Sequence, residues 1–99
     1  MSSWNQLGNT IIGESAGDRA GSSVSLSSDG TVVAIGAPKA GGNGNNSGHT
    51  RLYQWNGTAW VQLGNDINGE APFDNSGSSV SLSSDGSVIA IGGPAFRGN

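Results

Sequence analysis

Acidic side chains are the main candidates for chemistry in this chain, and they come in two similar segments. GESAGD carries Glu14 and Asp18, and GEAPFD carries Glu70 and Asp74. Paired carboxylates can hydrolyse a glycosidic bond, contact a cation weakly or bind glycan hydroxyls. Because both pairs recur at equivalent positions, we expect them to accept hydrogen bonds from loop amides and to shape their loops. Ligand binding through these side chains is the alternative.

Groups for nucleophilic or metal chemistry are scarce. His49 is the only histidine, there is no cysteine, and the many serines form no G-x-S-x-G nucleophile elbow. We interpret His49 as the first residue of a strand. The sequence therefore predicts no catalytic residue, no metal site and no cofactor.

The composition argues against several classes of partner. The net charge is −3 and the pI is about 4.6, without a cluster of basic residues, which argues against nucleic-acid binding. No stretch approaches the roughly 20 apolar residues that span a membrane, so we expect no membrane insertion. The start of the chain, Met1-Ser2-Ser3-Trp4, lacks the basic and apolar regions of a signal peptide. The lack of cysteine leaves the localisation open.

An internal repeat organises the chain. The segment GSSVSLSSDG occurs at 21–30 and again at 77–86, which is 56 residues later. With the same shift, 26 of 40 positions are identical between 4–43 and 60–99. Units of roughly 20–50 residues are typical of solenoids and propellers, whose repeats bury their apolar faces only against neighbours. We treat 1–99 as a single domain, with repeat 1 at about 4–59 and a truncated repeat 2 at about 60–99.

Each full repeat predicts four short antiparallel strands. SSVSLS alternates like a strand with one apolar face, and TVVAIG is apolar throughout, like a strand covered on both faces. Asp29-Gly30 and Asn56-Gly57 are dipeptides suited to tight hairpins, since both positions tolerate a positive φ. Pro38 ends the second strand. The predicted strands are 22–27, 31–36, 49–55 and 59–63.

A four-stranded antiparallel meander is the architecture of a β-propeller blade, and such blades surround a central channel. We therefore predict an all-β fold of propeller blades, closed by oligomerisation of this two-repeat chain. The serines of the first strand suit the crowded inner position, where small side chains fit. We expect the larger aromatic side chains to pack between outer strands, with stacking on sugars as the alternative. These aromatic residues are Trp4, Tyr53, Trp55 and Trp60.

The motifs of this repeat resemble a known family. AGSSVSLSSDGTVVAIGAP, followed by GHTRLYQW, resembles the FG-GAP repeat of integrin α-chain propellers, and is most similar to a variant in bacterial and algal surface proteins. The resemblance covers essentially the whole chain, through Gly-Ala-Pro at 36–38, Gly-Gly-Pro at 92–94 and the strand at 48–53. It implies a propeller that binds proteins or glycans without doing chemistry, in a secreted or cell-surface parent protein.

The chain departs from the family pattern in two places. The Phe-Gly pair of the family is replaced by Ala20-Gly21 in one copy and by Ser76-Gly77 in the other. The calcium loop of integrin-type repeats is replaced by Ser-Ser-Asp-Gly at 27–30. One carboxylate cannot supply the roughly six to eight oxygen ligands of Ca²⁺, so we do not expect calcium binding there.

The long connections are predicted to cluster at one end of the meander, which we call the long-loop face. It comprises 9–21, 38–48 and 65–77, whereas the opposite end carries only short turns. Binding residues concentrate on loops that a rigid scaffold holds. The candidate ligand-binding residues are Glu14, Asp18, Asn45, Asn46, Glu70 and Asp74.

The order of the predicted strands indicates how chains join. The chain begins with an outer strand at 4–7 and ends after the second strand of another blade, which lacks its third strand. The outer strand of one chain would complete the blade of another, because unpaired edges invite association and head-to-tail contacts can close into rings. We expect a homo-oligomer of roughly three to five chains, or six to ten blades. The abrupt ends also suggest a fragment of a longer repeat protein. The expected interface residues are Trp4, Leu7, Val88, Ile89 and Ile91.

Three functions follow from this interpretation. The first is a non-enzymatic module that self-assembles and offers its long-loop face to a protein or glycan. The second is a lectin with one carbohydrate site per blade. The third, an enzyme using carboxylates such as Glu14 and Asp18, is disfavoured because the acidic pairs repeat with the blades.

Overall fold

The computed structural model of the protein describes residues 4–13, 15–41 and 45–93. Within them the fold is all-β and antiparallel, apart from one 3₁₀ helix, as the sequence predicts. The described residues contain no helix with the length and apolar character of a membrane span. The elements are the 3₁₀ helix Ala16–Asp18 and the strands β1 (Ser23–Leu26), β2 (Val32–Ala37), β3 (His49–Trp55), β4 (Trp60–Gln62), β5 (Ile67–Asn68), β6 (Ser79–Leu82) and β7 (Ile89–Gly92).

Strands β1 to β4 form the predicted four-stranded meander, which we call the first blade. In its register Val24 pairs with Ile35, and Ile35 with Arg51. Side chains alternate between the two faces of a strand, so each row of paired residues shares one face. The valine face carries Val24, Leu26, Ile35, Arg51 and Tyr53, and the serine face carries Ser23, Ser25, Ala34, Gly36 and Thr50.

The hairpin turn between β1 and β2 differs in detail from the prediction. Between β1 and β2, Ser27 N–H donates to Val32 O at 2.9 Å, so four residues, 28–31, form the loop. Only Gly30 of the predicted Asp29-Gly30 pair has a positive φ, at 76°. The Asp29 carboxylate instead accepts bonds from the Thr31 amide and hydroxyl and from the Ser27 hydroxyl, which hold the loop without a second left-handed residue.

The outer edge of the first blade is longer than predicted. The expected fourth strand, 59–63, is observed as β4, which pairs with the C-terminal half of β3. After a bend, β5 pairs with His49 and Thr50 at the other end of β3. The predicted long loop 65–77 therefore includes a short strand, because the seven-residue β3 offers more edge than the three residues of β4 can cover.

The second blade is represented by the β6–β7 hairpin, which forms its own sheet. It lies on the serine face of the first blade. Ser25 Oγ accepts a hydrogen bond from Leu82 N at 3.0 Å, and Ser23 Oγ donates one to Gly77 O at 2.8 Å. Ala34 and Thr50 are fully buried there. The serines thus face the neighbouring blade.

The valine face of the first blade is open along β1. Val24 is 62% exposed and Leu26 59% exposed, whereas β2 is buried along most of its length, as its apolar sequence predicts. The small core consists of Val32, Val33, Ala34, Ala37 and Ala40.

The predicted outer strand at 4–7 is not a strand in the structure. The Leu7 carbonyl accepts a hydrogen bond from the Trp60 indole at 3.0 Å, and Asn9 Oδ1 accepts one from the Trp60 amide at 2.9 Å. A strand requires a ladder partner, and these bonds instead tie the segment to the outer edge of its own blade.

Candidate binding surface

The long-loop face is held together by a ladder of backbone hydrogen bonds. The amides of Phe73, Asn75 and Ser76 donate to the carbonyls of residues 45, 46 and 47, at 2.8, 2.9 and 3.0 Å. Gly48 adds a parallel bridge to Ser76. The structure therefore brings the predicted Asn45–Asn46 loop and the loop of Asp74 together.

Asp74 has the structural role that the recurrence of the acidic pairs suggests. It is 9% exposed, and its Oδ2 accepts a hydrogen bond from the Ala71 amide at 3.0 Å. Glu70, its predicted partner in the pair, is exposed to solvent. Within this pair, Glu70 offers the accessible carboxylate and Asp74 shapes the loop.

Asp18 of the first acidic pair makes one backbone hydrogen bond like that of Asp74. Asp18 N donates to Ser15 O at 3.0 Å, as Asp74 N does to Ala71 O at 3.2 Å. Asp18 is half-buried, and its carbonyl accepts from Lys39 N at 3.2 Å. The other predicted residue, Glu14, lies outside the described residues. The described part of the chain contains no group of three or more His, Cys, Asp or Glu side chains that could hold a metal ion.

The predicted asparagines occupy different environments. Asn45 is exposed, whereas Asn46 is half-buried with a φ of 55°. Asparagine tolerates this left-handed conformation better than most residues. Lys39 Nζ donates to Asn75 Oδ1 at 3.1 Å and so ties the 38–48 loop to the 65–77 loop. The long-loop face is thus a cross-linked surface on which Asn45 and Glu70 are accessible.

A second surface, which the sequence does not predict, is an apolar groove of roughly 250 Å³ on the valine face. Val24, Ile35 and Tyr53 supply one part of its lining, and the segment Ile11–Gly13 supplies another. The alternation of Val24 and Leu26 in SSVSLS signals an apolar face, but not what covers it.

An ion pair lies beside this groove. Arg51 Nε and Nη2 donate to the two carboxylate oxygens of Asp66 at 2.8 and 2.9 Å, and Gln62 donates to the same carboxylate at 2.7 Å. The hydrogen bonds from Arg51 lower the pKa of Asp66 from 3.8 to about 2. The pair joins β3 to the bend between β4 and β5, so these charged groups stabilise the fold.

Three of the four predicted aromatic residues pack within the chain. The rings of Trp55 and Trp60 lie 5.5 Å apart at an angle of 55°, and Tyr53 lines the groove. Trp4 is 96% exposed. Of the predicted sugar-stacking residues, Trp4 is the one whose indole is open to a ligand.

The predicted oligomer-interface residues also differ in environment. Trp4, Leu7 and Val88 are exposed. Ile89 and Ile91 are half-buried, and their register places them on the same face of the second blade as Val80 and Leu82. Their part in an interface between chains stays a prediction.

Comparison with known protein families supports an FG-GAP-type repeat in part of the chain. A family model described as the FG-GAP repeat matches residues 13–53, which span the 3₁₀ helix, β1, β2 and most of β3. No curated protein and no solved structure matches the chain. The match agrees with the resemblance found in the sequence and with the observed meander.

Proposed function

We propose that this chain is a non-enzymatic assembly and binding module, because the model of the FG-GAP repeat, a repeat of β-propellers, matches residues 13–53. It associates with further copies of itself into a closed ring. Its long-loop face is the surface offered to a protein or glycan.

The exposed valine face is the observation that carries this proposal. Val24 and Leu26 lie side by side on one face of β1 and expose more than half of their surface to solvent. Covering an aliphatic side chain stabilises a complex by about 1–2 kcal/mol. A contiguous apolar face on a small protein is typical of an interaction site.

The blade architecture supports the proposal of a closed ring. Two blades present two unlike faces, so contacts between chains join one face to the other, and such contacts form rings when the rotation closes. Propellers usually contain about four to eight blades. Rings of roughly three to five chains, with two blades each, overlap this range.

The ligand-binding part of the proposal rests on the long-loop face. Its loops are cross-linked by backbone hydrogen bonds, so little conformational entropy is lost when a ligand binds. Asn45 and Glu70 present amide and carboxylate groups that suit the hydroxyls of a glycan or the polar groups of a protein surface.

The first test is the native mass of the 99-residue chain, measured by native mass spectrometry and light scattering over a range of concentrations. We expect a single closed multiple of 9.9 kDa. A monomer at every concentration would contradict self-assembly. Hydrolysis of a glycoside at any pH would contradict the non-enzymatic assignment.

The lectin is the second candidate function, and the exposed indole of Trp4 favours it. A glycan array probed with the wild type and with Trp4→Ala tests it. Loss of glycan binding in Trp4→Ala, with an unchanged native mass and circular dichroism spectrum, would support the lectin. Wild-type protein that binds no glycan would rule it out.

A further inference from the structure

We propose that the serine face of the second blade in one copy covers the valine face of the first blade in the next copy. The contact would repeat between chains the packing that already exists within one chain. This inference rests on the proposed self-assembly and identifies the two surfaces that meet.

The contact between the blades of one chain is the template. Here the serine face of the first blade meets the β6–β7 hairpin. Ser25 Oγ accepts from Leu82 N, Ser23 Oγ donates to Gly77 O, and Ser28 N donates to Ser84 O at 2.9 Å. Gly36 approaches so closely that an added Cβ would meet the Gly77 carbonyl oxygen.

The two copies of the repeated segment differ in which of their faces is covered. In β1 the serines are half-buried, and Val24 and Leu26 are exposed. In β6 the serines are exposed, and Val80 and Leu82 are half-buried. Because GSSVSLSSDG is identical in both copies, packing rather than sequence causes this reversal. The first blade therefore lacks a serine face on its valine side, and the second blade presents an uncovered serine face.

The occupant that fits the valine face is consequently a second copy of this chain. Its exposed serine face carries Ser79 and Ser81, with Ala90 and Gly92 paired beside them. These residues match the serine face that covers Val80 and Leu82 within one chain. Ser81 Oγ would accept from Leu26 N of the next copy, Ser79 Oγ would donate to its Gly21 carbonyl, and Ser84 N would donate to its Ser28 carbonyl.

The contact is heterologous, since two different faces meet. Each chain therefore offers the serine face of its second blade to one neighbour and the valine face of its first blade to the other. The two faces can be blocked separately. Ser81→Asp places a charge on the exposed serine face, and Leu26→Glu places one on the exposed valine face. Ser15→Asp and Val61→Glu are matched controls, because both residues are exposed and lie outside these faces.

Native mass spectrometry of the full-length variants, singly and mixed, tests the contact. We expect Ser81→Asp and Leu26→Glu each to be a 9.9 kDa monomer with the circular dichroism spectrum of the wild type, and both controls to keep the wild-type mass. An equimolar mixture of the two blocked variants retains one intact pair of faces, so it should form a dimer of two chains and nothing larger.

The possible results separate this inference from the proposed function. A monomeric wild type would overturn both. If the wild type assembles and Ser81→Asp or Leu26→Glu keeps its mass, assembly stands and this interface is wrong. Two monomeric variants whose mixture also stays monomeric would overturn the head-to-tail contact.

Discussion

At the scale of single residues, Asp66 is a charged group that stabilises the fold. Its carboxylate receives three hydrogen bonds, two from Arg51 and one from Gln62. Its equivalent in the first repeat is Thr10, whose hydroxyl accepts from Gln6 at 3.1 Å. A glutamine four residues earlier therefore contacts residue 10 in the first repeat and residue 66 in the second. In the second repeat, the ion pair with Arg51 also links this segment to β3.

Neutralising Asp66 should destabilise the fold in a pH-dependent way. Its pKa is lowered from 3.8 to about 2 in the folded chain. The charged form therefore stabilises the fold above about pH 4, and this contribution is lost as the pH falls towards 2. We expect Asp66→Asn to lower the free energy of unfolding by about 1 kcal/mol at pH 7, since solvent screens a pair that is partly exposed.

Urea unfolding at pH 7 and at pH 2 measures this effect. The difference between Asp66→Asn and the wild type should shrink towards zero at the lower pH. Glu70→Gln, which neutralises an exposed carboxylate, is the control. A difference of the same size at both pH values would show that lost packing, rather than lost charge, causes the effect.

At the scale of the elements, glycines and serines let the two sheets approach each other. Gly36 lies on the serine face opposite Ser23, and a Cβ there would collide with the Gly77 carbonyl oxygen. Gly77 has a φ of 96° and packs close to the Thr50 hydroxyl. The stacking of blades thus depends on the absence of side chains at the contact.

Gly36→Ala should therefore separate the two sheets. Because the obstructing atom belongs to the backbone, we expect a loss of about 2 kcal/mol in the free energy of unfolding. Gly17→Ala is the matched control, since a Cβ at Gly17 would meet nothing within 4 Å. Urea unfolding midpoints compare the two variants, and equal midpoints would mean that the blades do not pack as described.

At the scale of the whole molecule, the two blades leave unlike surfaces on opposite sides. The valine face of the first blade is apolar and open along β1, and the serine face of the second blade is polar and open along β6. The buried core consists of a few small or β-branched residues. The core of the 99-residue chain is so small that covering these surfaces in the proposed assembly would add to the stability of the fold.

Thermal stability should consequently depend on protein concentration. Association that occurs only in the folded state raises the Tm as the concentration rises. Over a hundredfold range we expect the wild-type Tm to increase by roughly 5 °C or more. Leu26→Glu should abolish the dependence, whereas Val61→Glu should retain it. A wild-type Tm that is independent of concentration would contradict folding coupled to assembly.

The strands were predictable because their signals are local. Alternation in SSVSLS, the apolar run TVVAIG and the turns around Asp29 and Asn56 act over a few neighbouring residues. Asp85 repeats the bonds of Asp29 in the second copy, with the Ser87 amide and hydroxyl and the Ser83 hydroxyl as donors. The all-β class and the blade follow from such contacts.

The environment of each face was not predictable, because it depends on residues far apart in the chain. The alternation of serine and apolar residues indicates two faces of β1. It does not predict that Leu82, 57 residues from Ser25, lies against the serine face. The pairing of β5 with β3, the Arg51–Asp66 ion pair and the backbone ladder beside Asp74 depend on the same kind of remote contact. Local patterning therefore specifies the strands and turns, and long-range packing specifies which surfaces remain open to a partner.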